Sequence, residues 1–154
     1  MNPEQRLVEL GIELPPAPRP MGTYVPGVLV GDLLFMSGLG PRHADGTMIS
    51  GKVGRDLDIE QARAAARLVG LNMLANIRAI LGSLDRVERV VKTLGMVNSA
   101  PDFDQQPKVI DGYADLFVEV VGEDRGRGAR SAVGMAALPM QIAVEVETIL
   151  KVRP

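Results

Sequence analysis

The stretch ARSAVGMAALPMQIAVEVETIL, residues 129–150, decides the fold of this chain. Its residues are small, β-branched or apolar, the types that favour strands over exposed loops. Leu138-Pro139 divides the stretch, because proline cannot continue a central strand. The pattern therefore predicts two strands, at about 129–137 and 142–151, that pair with each other as a hairpin.

Three charged residues interrupt this apolar stretch: Arg130 near its start, and Glu145 and Glu147 near its end. A structural interpretation of Arg130 is a strand-end ion pair with Glu147 or Glu123. In a hairpin, Arg130 would lie opposite residue 150, about 17 Å from Glu145 at ~3.4 Å per residue. Arg130 and Glu145 could then serve one ligand only if neighbouring subunits contributed one residue each.

Two amphipathic helices are predicted before this stretch. Asp58 begins a capping box, and apolar residues then recur at helical spacing until Gly82. The second helix begins near Pro107, which the first turn tolerates, and ends at Gly122. Gly70 in the middle of the first helix costs ~1 kcal/mol relative to alanine, which predicts a close approach of that helix to a sheet.

Strands alternate with these helices in the order ββαβαββ. The predicted elements are strands at about 25–30 and 33–37, a helix at 58–82, a strand at 86–98, a helix at 107–122, and strands at 129–137 and 142–151. The economical packing is an α+β sheet with both helices on one face, which leaves an apolar face uncovered. Since one chain cannot bury that face, the sequence predicts an oligomer.

Composition and charge place the chain among ordinary globular proteins. Its 154 residues fit one domain, predicted at 22–154, behind a lead-in of residues 1–21. The lead-in has a short helix at about 3–10 and a proline-rich connection, without the features of a signal peptide. No stretch approaches the ~18 apolar residues of a membrane span, so the expected location is cytoplasmic. A net charge of −2 offers no positive field to attract nucleic acid.

Two segments carry a resemblance to a known family. RSAVGMAALPMQIAVEVE, residues 130–147, resembles the R-x-x-x-x-V-A-x-L-P and V-E-[IV]-E segment of the RidA/YjgF family of enamine and imine deaminases, also labelled the endoribonuclease L-PSP family. YVPGVLVGDLLFMSGLGP, residues 24–41, is similar to the hairpin segment of that family. The resemblance extends from about residue 22 to the C-terminus. It implies a chorismate-mutase-like fold, of the bacillus type, that assembles as a homotrimer with active sites between subunits.

The resemblance also implies a reaction, the hydrolytic deamination of small 2-imino or enamino acids to 2-keto acids and ammonia. Arg130 matches the arginine that grips the substrate carboxylate, a task that suits its planar fork of donors. Glu145 matches the glutamate that orients or activates the attacking water. Tyr24 matches a tyrosine at the rim of the site, and Ser37 and Gly38 lie where backbone groups meet the ligand. This chemistry requires neither a metal nor an organic cofactor.

Several positions depart from the family pattern. Ala132 replaces a cysteine, and Leu39 replaces a glutamine after Ser-Gly. An asparagine of the second helix is replaced by Ile110 or Asp111, depending on the alignment. These changes make the expected pocket more apolar. Together with the longer lead-in and the longer loop at 41–56, they indicate a divergent subgroup of the family.

Two other functions fit the sequence. The departures at Leu39 and Ala132 favour a trimeric protein that binds a small carboxylate without efficient turnover. The ribonuclease activity attributed to some relatives is disfavoured by the acidic balance and by an aromatic content of 3%, which leave little to neutralise phosphates or stack on bases. Two residues also have plain structural interpretations. Tyr24 could cap the first hairpin, and the only histidine, His43, is expected at the surface.

Overall fold

The strands and helices follow the predicted order behind a short leading helix. The computed structural model describes residues 1–154. Its elements are α1 (Pro3–Glu9), β1 (Gly27–Val30), β2 (Leu33–Met36), α2 (Ile59–Leu81), β3 (Val87–Asn98), α3 (Gln106–Val121), α4 (Glu123–Gly126), β4 (Ala129–Met135) and β5 (Val144–Val152). Short 3-10 turns at Leu84–Arg86 and Pro139–Gln141 precede β3 and β5. The order ββαβαββ is therefore confirmed.

The capping residues read from the sequence set both ends of α2. The Asp58 side chain accepts a hydrogen bond from the Gln61 backbone N–H at 2.8 Å, and the Asp58 N–H donates to Gln61 Oε1 at 2.9 Å. This reciprocal pair is the predicted capping box. At the other end Gly82 adopts φ 82°, a left-handed conformation that glycine reaches without a Cβ clash.

Helix α2 is long and apolar enough to cross a membrane by length and composition. The prediction that no stretch of the chain approaches a membrane span is therefore wrong on those criteria. However, 61% of the apolar window of α2 is buried inside the fold. The apolar character of α2 is that of a core helix packed against both α3 and the sheet.

The five strands form one sheet in the order β1-β2-β5-β3-β4. Strand β4 pairs only with β3, in parallel, and β5 lies between β2 and β3, antiparallel to both. The predicted hairpin of 129–137 with 142–151 is therefore wrong, because β3 separates its two strands. The apolar pattern identified both strands, but the helical crossover through α3 returns the chain parallel to β3 and places β4 at the edge of the sheet.

Both long helices cover the same face of this sheet. Alternate residues of β5 are buried beneath them, namely Val144, Val146, Thr148, Leu150 and Val152. On β3, a Cβ at Gly95 would lie 2.5 Å from Ile110 Cγ1, so this glycine allows α3 to approach the strand. The other side of the sheet exposes apolar side chains of three strands, and we call it the open face: Val28, Val30, Phe35 and Val133.

The leading helix α1 is fixed to the rest of the fold. Its Leu7 is buried in the core, and the Glu4 carboxylate accepts hydrogen bonds from the Arg78 guanidinium and from the Leu84 N–H at 2.9 Å. Burial opposes ionisation of Glu4, but these donors outweigh it and hold the pKa of Glu4 below its ordinary value. The N-terminal end of the lead-in is therefore anchored to the core. The boundary between a lead-in of residues 1–21 and a domain of residues 22–154 stays a prediction.

Two glycines set the distance between α2 and α3. A Cβ at Gly112 would lie 2.2 Å from the backbone oxygen of Arg63, and a Cβ at Gly70 would lie 2.8 Å from Leu116 Cδ2. Leu116 belongs to α3, so the prediction that Gly70 marks an approach of α2 to the sheet is wrong. Both glycines instead allow close packing of one helix against the other.

The two glycines should differ in their tolerance of alanine. Gly112→Ala places a methyl group against a backbone oxygen, and overpacking of this kind costs about 1–3 kcal/mol, more than the ~1 kcal/mol gain in helix propensity. Gly70→Ala meets a leucine side chain that can rotate away, so the propensity gain offsets the contact. Urea denaturation should give a lower midpoint for Gly112→Ala and a nearly unchanged one for Gly70→Ala. Equal losses would contradict the backbone contact as the cause.

Candidate active site

Arg130 lies on the edge strand β4 and points to the helix side of the sheet. Its Nη1 donates to Asp111 Oδ1 at 2.6 Å, which ties the strand to the second turn of α3. The ion pair that the structural interpretation predicted therefore exists, but with a different partner. Glu123 pairs instead with Arg127 at 2.6 Å, and Glu147 makes no ion pair. The remaining N–H donors of Arg130 are free for a ligand.

Arg130 borders a cleft of about 360 Å³ between α3 and β4, whose polar lining includes Asp111, Thr93 and Tyr113. The Tyr113 side chain is buried, and burial raises the pKa of its hydroxyl despite the neighbouring Thr148. That hydroxyl makes no hydrogen bond of normal geometry. The Tyr113 hydroxyl is buried away from solvent, so the group that the cleft offers a small anion is the Arg130 guanidinium, beside the carboxylates of Asp111 and Asp115.

Glu145 lies on the central strand β5, on the open face, and is half-buried. Burial raises the pKa of Glu145 above its ordinary value, and the nearby carboxylate of Glu147 raises it further. No donor of the same chain contributes to stabilising its charge. A carboxylate in this state can accept and return a proton nearer neutral pH than an ordinary glutamate.

Residues 37–39 are held directly beside Glu145. A Cβ at Gly38 would lie 2.7 Å from Glu145 Oε2, so no side chain fits at position 38 without displacing the carboxylate. Ser37 Oγ donates to the Val25 backbone oxygen at 2.6 Å, which uses the hydroxyl to fix the loop. The backbone of Leu39 exchanges two hydrogen bonds with Val146, at 3.0 and 3.1 Å. The structure therefore brings Gly38 and its neighbours to the predicted general base.

A cavity of about 120 Å³ borders residues 38–40 of this loop. Tyr24 is at its rim, half-exposed, and its hydroxyl accepts a hydrogen bond from the Met21 N–H at 3.2 Å. The phenol thus holds the lead-in rather than capping the first hairpin. The cavity is lined by Pro18, Arg19, Met21, Tyr24, Gly38, Leu39, Gly40, Arg42, Met48, Met140 and Ile142. Tyr24, Gly38 and Leu39 are therefore neighbours, as the sequence predicted.

Arg130 and Glu145 are not brought together within one chain. Arg130 is opposite Thr93 on β3, whereas Glu145 is opposite Met96. Three residues along β3 and two strand spacings give roughly 14 Å between their Cα atoms. The two side chains also leave opposite faces of the sheet. Ala132 lies near Arg130 on the helix side, where it packs against the core.

Sequence reasoning missed two arginines of the cavity, Arg19 of the lead-in and Arg42 of the following loop. Neither arginine lies in a helix or strand, so the spacing of apolar residues gave no signal for either of them. Met140 was interpreted as a core side chain, which is wrong, because Met140 is exposed at the cavity. Both Met140 and Gln141 have φ 55°, a left-handed conformation that is strained for residues other than glycine. Such strain is tolerated only where surrounding contacts impose it, and it often accompanies functional sites.

The helix-covered sheet, its exposed second face and the loop held against Glu145 define an α+β domain of chorismate-mutase-like fold. The chain belongs to the YjgF family: the family model described as "YjgF/chorismate_mutase-like, putative endoribonuclease" matches residues 4–149. The resemblance found in the sequence is thereby confirmed. The matched range includes both glutamates, Arg130 and most of the lead-in.

Known relatives cover nearly the whole chain. Protein TCP17 of Trypanosoma cruzi is 43% identical over 145 residues, which are 94% of this chain and 91% of the relative. A 2-iminobutanoate/2-iminopropanoate deaminase of Dermatophagoides farinae is 30% identical over 140 residues, covering 90% and 93%. The crystal structure of Atu1372, a protein of unknown function from Agrobacterium tumefaciens, has 42% identity and a TM-score of 0.87, covering 97% and 91%. The family thus includes proteins named as imine deaminases and others named as endoribonucleases.

The folded protein should be less stable when the Glu145 side chain is ionised. Because folding raises its pKa, the folded state holds the proton more tightly, and stability falls as pH rises from about 4.5 through the folded-state pKa. Glu145→Gln removes that charge, so its Tm should exceed that of the unsubstituted protein at about pH 7.5, and the difference should shrink at about pH 4. Differential scanning calorimetry at both values measures this.

The matched control is Glu147→Gln on the same strand. Glu147 is exposed, so its substitution relieves only the repulsion between the two carboxylates. We expect a smaller gain in Tm than for Glu145→Gln. A Glu145→Gln protein that is no more stable at neutral pH would contradict the burial of a destabilised carboxylate.

Proposed function

We propose that this protein hydrolyses small 2-imino or enamino acids to 2-keto acids and ammonia, in clefts between the subunits of a homotrimer. The observation that carries the proposal is the half-buried carboxylate of Glu145, which has a raised pKa and lies against Gly38. Family membership supports it, as does the 30% identical relative named as a deaminase. A cytoplasmic location stays a prediction.

In this proposal Glu145 handles the protons of the reaction. Water bonds to the imine carbon while Glu145 takes one of its protons, and the π electrons of the C=N bond move to nitrogen, which then receives that proton from Glu145. The resulting tetrahedral intermediate loses ammonia as the carbonyl forms: Glu145 takes the hydroxyl proton, the C–N bond breaks, and the departing nitrogen receives the proton. A carboxylate with a raised pKa is matched to both transfers, since its two protonation states are closer in energy at neutral pH. The missing side chain at Gly38 lets the loop lie against the carboxylate without displacing it.

Arg130 would hold the substrate carboxylate through its free N–H donors. Within one chain it lies roughly 14 Å from Glu145 and on the opposite face. One site can use both residues only if a neighbouring subunit supplies one of them, and the edge position of β4 makes Arg130 the residue available to a neighbour. Asp111 would fix the guanidinium in place. Tyr24, Ser37 and the Gly38 backbone would line the rim, with Leu39 and Ala132 as apolar walls.

A second function is favoured by the apolar residues Leu39 and Ala132, which stand where the family has a glutamine and a cysteine. Leu39 lines the cavity beside Gly38 and Ala132 packs against the core near Arg130, so neither offers a polar group to a water or to an imine nitrogen. Because Arg130 would still bind a carboxylate, these residues support a trimeric protein that binds a small carboxylate without efficient turnover. The endoribonuclease named among the relatives is less well supported, because the chain has a net charge of −2 and few aromatic side chains.

Trimer formation can be tested by mass. Three chains of 16.5 kDa should elute as a particle of about 50 kDa in size-exclusion chromatography with light scattering. Val133→Lys places a charge on the open face and should release monomers. Val8→Lys, on an exposed position of α1, should leave the mass unchanged. A monomeric mass for the unsubstituted protein would contradict a site shared between subunits.

Turnover can be tested by competition with semicarbazide for imines that an L-amino acid oxidase generates from several amino acids. An active protein lowers the yield of semicarbazone. Glu145→Gln and Arg130→Ala should restore that yield, because loss of a general base lowers the rate by about 10²–10⁴. The control Arg55→Ala removes an exposed arginine that pairs with Asp56, outside the cleft of Arg130 and the cavity beside Gly38, and should retain activity. An unchanged yield with the unsubstituted protein for every imine would favour the binding protein without turnover.

A further inference from the structure

Two arginines of the cavity beside Gly38 have no acceptor oxygen in the chain. The sequence has thirteen arginines, and eleven of them donate to a carboxylate or backbone oxygen. The two exceptions are Arg19, which makes no such bond, and Arg42, whose Nη1 contacts only the Met21 sulfur at 3.7 Å. Both exceptions line the same cavity.

The backbone holds these two arginines while leaving their guanidinium groups free. Arg19 stands between Pro18 and Pro20, and proline restricts the backbone on both sides of it. The backbone oxygen of Arg42 accepts a hydrogen bond from the buried side chain of Asn72 at 2.9 Å. Little conformational entropy of the backbone is therefore left to lose when a ligand binds.

The surroundings of the two arginines carry no compensating negative charge. The cavity itself is otherwise apolar, with Met21, Met48 and Ile142 in its walls. Arg19 and Arg42 also border an adjoining cavity of about 240 Å³ that contains the side chain of His43. Neither cavity is lined by a carboxylate. Two uncompensated guanidinium groups at an apolar cavity form a site for an anionic oxygen group attached to a short hydrocarbon chain.

We propose that Arg19 and Arg42 bind an acidic group at the end of the substrate side chain, so that the preferred substrate is a 2-imino acid with a second anionic group. This rests on the proposed function. Gly38 and Leu39 connect the cavity to Glu145, so a substrate whose reacting carbon lies at Glu145 extends its side chain past Leu39. The apolar walls then contact the methylene groups, and the two arginines hold the terminal anion. A carboxylate and a phosphonate share this chemistry.

Isothermal titration calorimetry with three stable 2-keto acids tests the proposal. The probes are 2-oxoglutarate, 2-oxopentanoate of equal chain length without the second carboxylate, and 2-oxo-4-phosphonobutanoate. The unsubstituted protein should bind 2-oxoglutarate about 10-fold or more tightly than 2-oxopentanoate, as a charge-assisted pair provides. Tighter binding of the phosphonate would support the site and identify its anion as a phosphoryl group.

The variants are Arg19→Gln, Arg42→Gln and their combination, compared with Arg55→Gln. The combined variant should lose the preference for the second anion and retain its affinity for 2-oxopentanoate. Arg55 pairs with Asp56 in the same loop and lies outside the cavity lining, so its substitution should change neither affinity. Unchanged Tm values would show that folding is intact, as expected for arginines that bond no protein oxygen.

Two outcomes would overturn the proposal: equal affinity of the unsubstituted protein for 2-oxoglutarate and 2-oxopentanoate, or equal weakening of both by the arginine substitutions. The measurement does not require turnover. A protein that prefers the dicarboxylate through Arg19 and Arg42, but leaves the semicarbazone yield unchanged, would retain this site and lose the deaminase function. A deaminase without the preference would lose only this site.

Discussion

Strand β5 hydrogen-bonds β2 along one edge and β3 along the other, and this double pairing joins the hairpin of β1 and β2 to the crossover unit of β3, α3 and β4. Successive side chains of β5 point to opposite faces of the sheet. Alternate residues of β5 form the floor of the core beneath the helices, and the residues between them, with Glu145 among them, face the other way. Because β5 is hydrogen-bonded to a neighbouring strand on each side, two pairings fix its register, and they fix the position of Glu145 as well.

The same arrangement separates the two residues that the family resemblance couples. Because β3 lies between β4 and β5, Arg130 and Glu145 are held by different strands and leave opposite faces of the sheet. Each has its own surroundings. Asp111 and the buried Tyr113 accompany Arg130, and Gly38 accompanies Glu145. In the proposed trimer these would be two half-sites, and the exposed apolar residues of the open face would let neighbouring copies pack together.

Segments outside the regular elements determine the character of the half-site around Glu145. The lead-in is fixed at its start by Glu4 and Leu7 and reaches the cavity as a proline-rich segment. The backbone of Arg42 is held by Asn72 of α2. Tyr24 accepts a hydrogen bond from the Met21 N–H as well, so this rim residue is tied to the lead-in. In the proposed site, the side chains that would recognise the substrate therefore lie outside the regular elements, and the strands and helices carry the fold.

The sequence by itself determined the elements and their order, the capping box of α2 and the membership of the family. These features depend on short-range spacing, such as the capping pair and apolar periodicity, or on contiguous motifs. Only the tertiary structure decided that β4 pairs with β3 rather than β5, that Gly70 faces α3, that Asp111 binds Arg130, and that Arg19 and Arg42 meet at one cavity. Strand partners and contacts between distant side chains depend on how the whole core closes, and an alternating pattern fits several partners equally well.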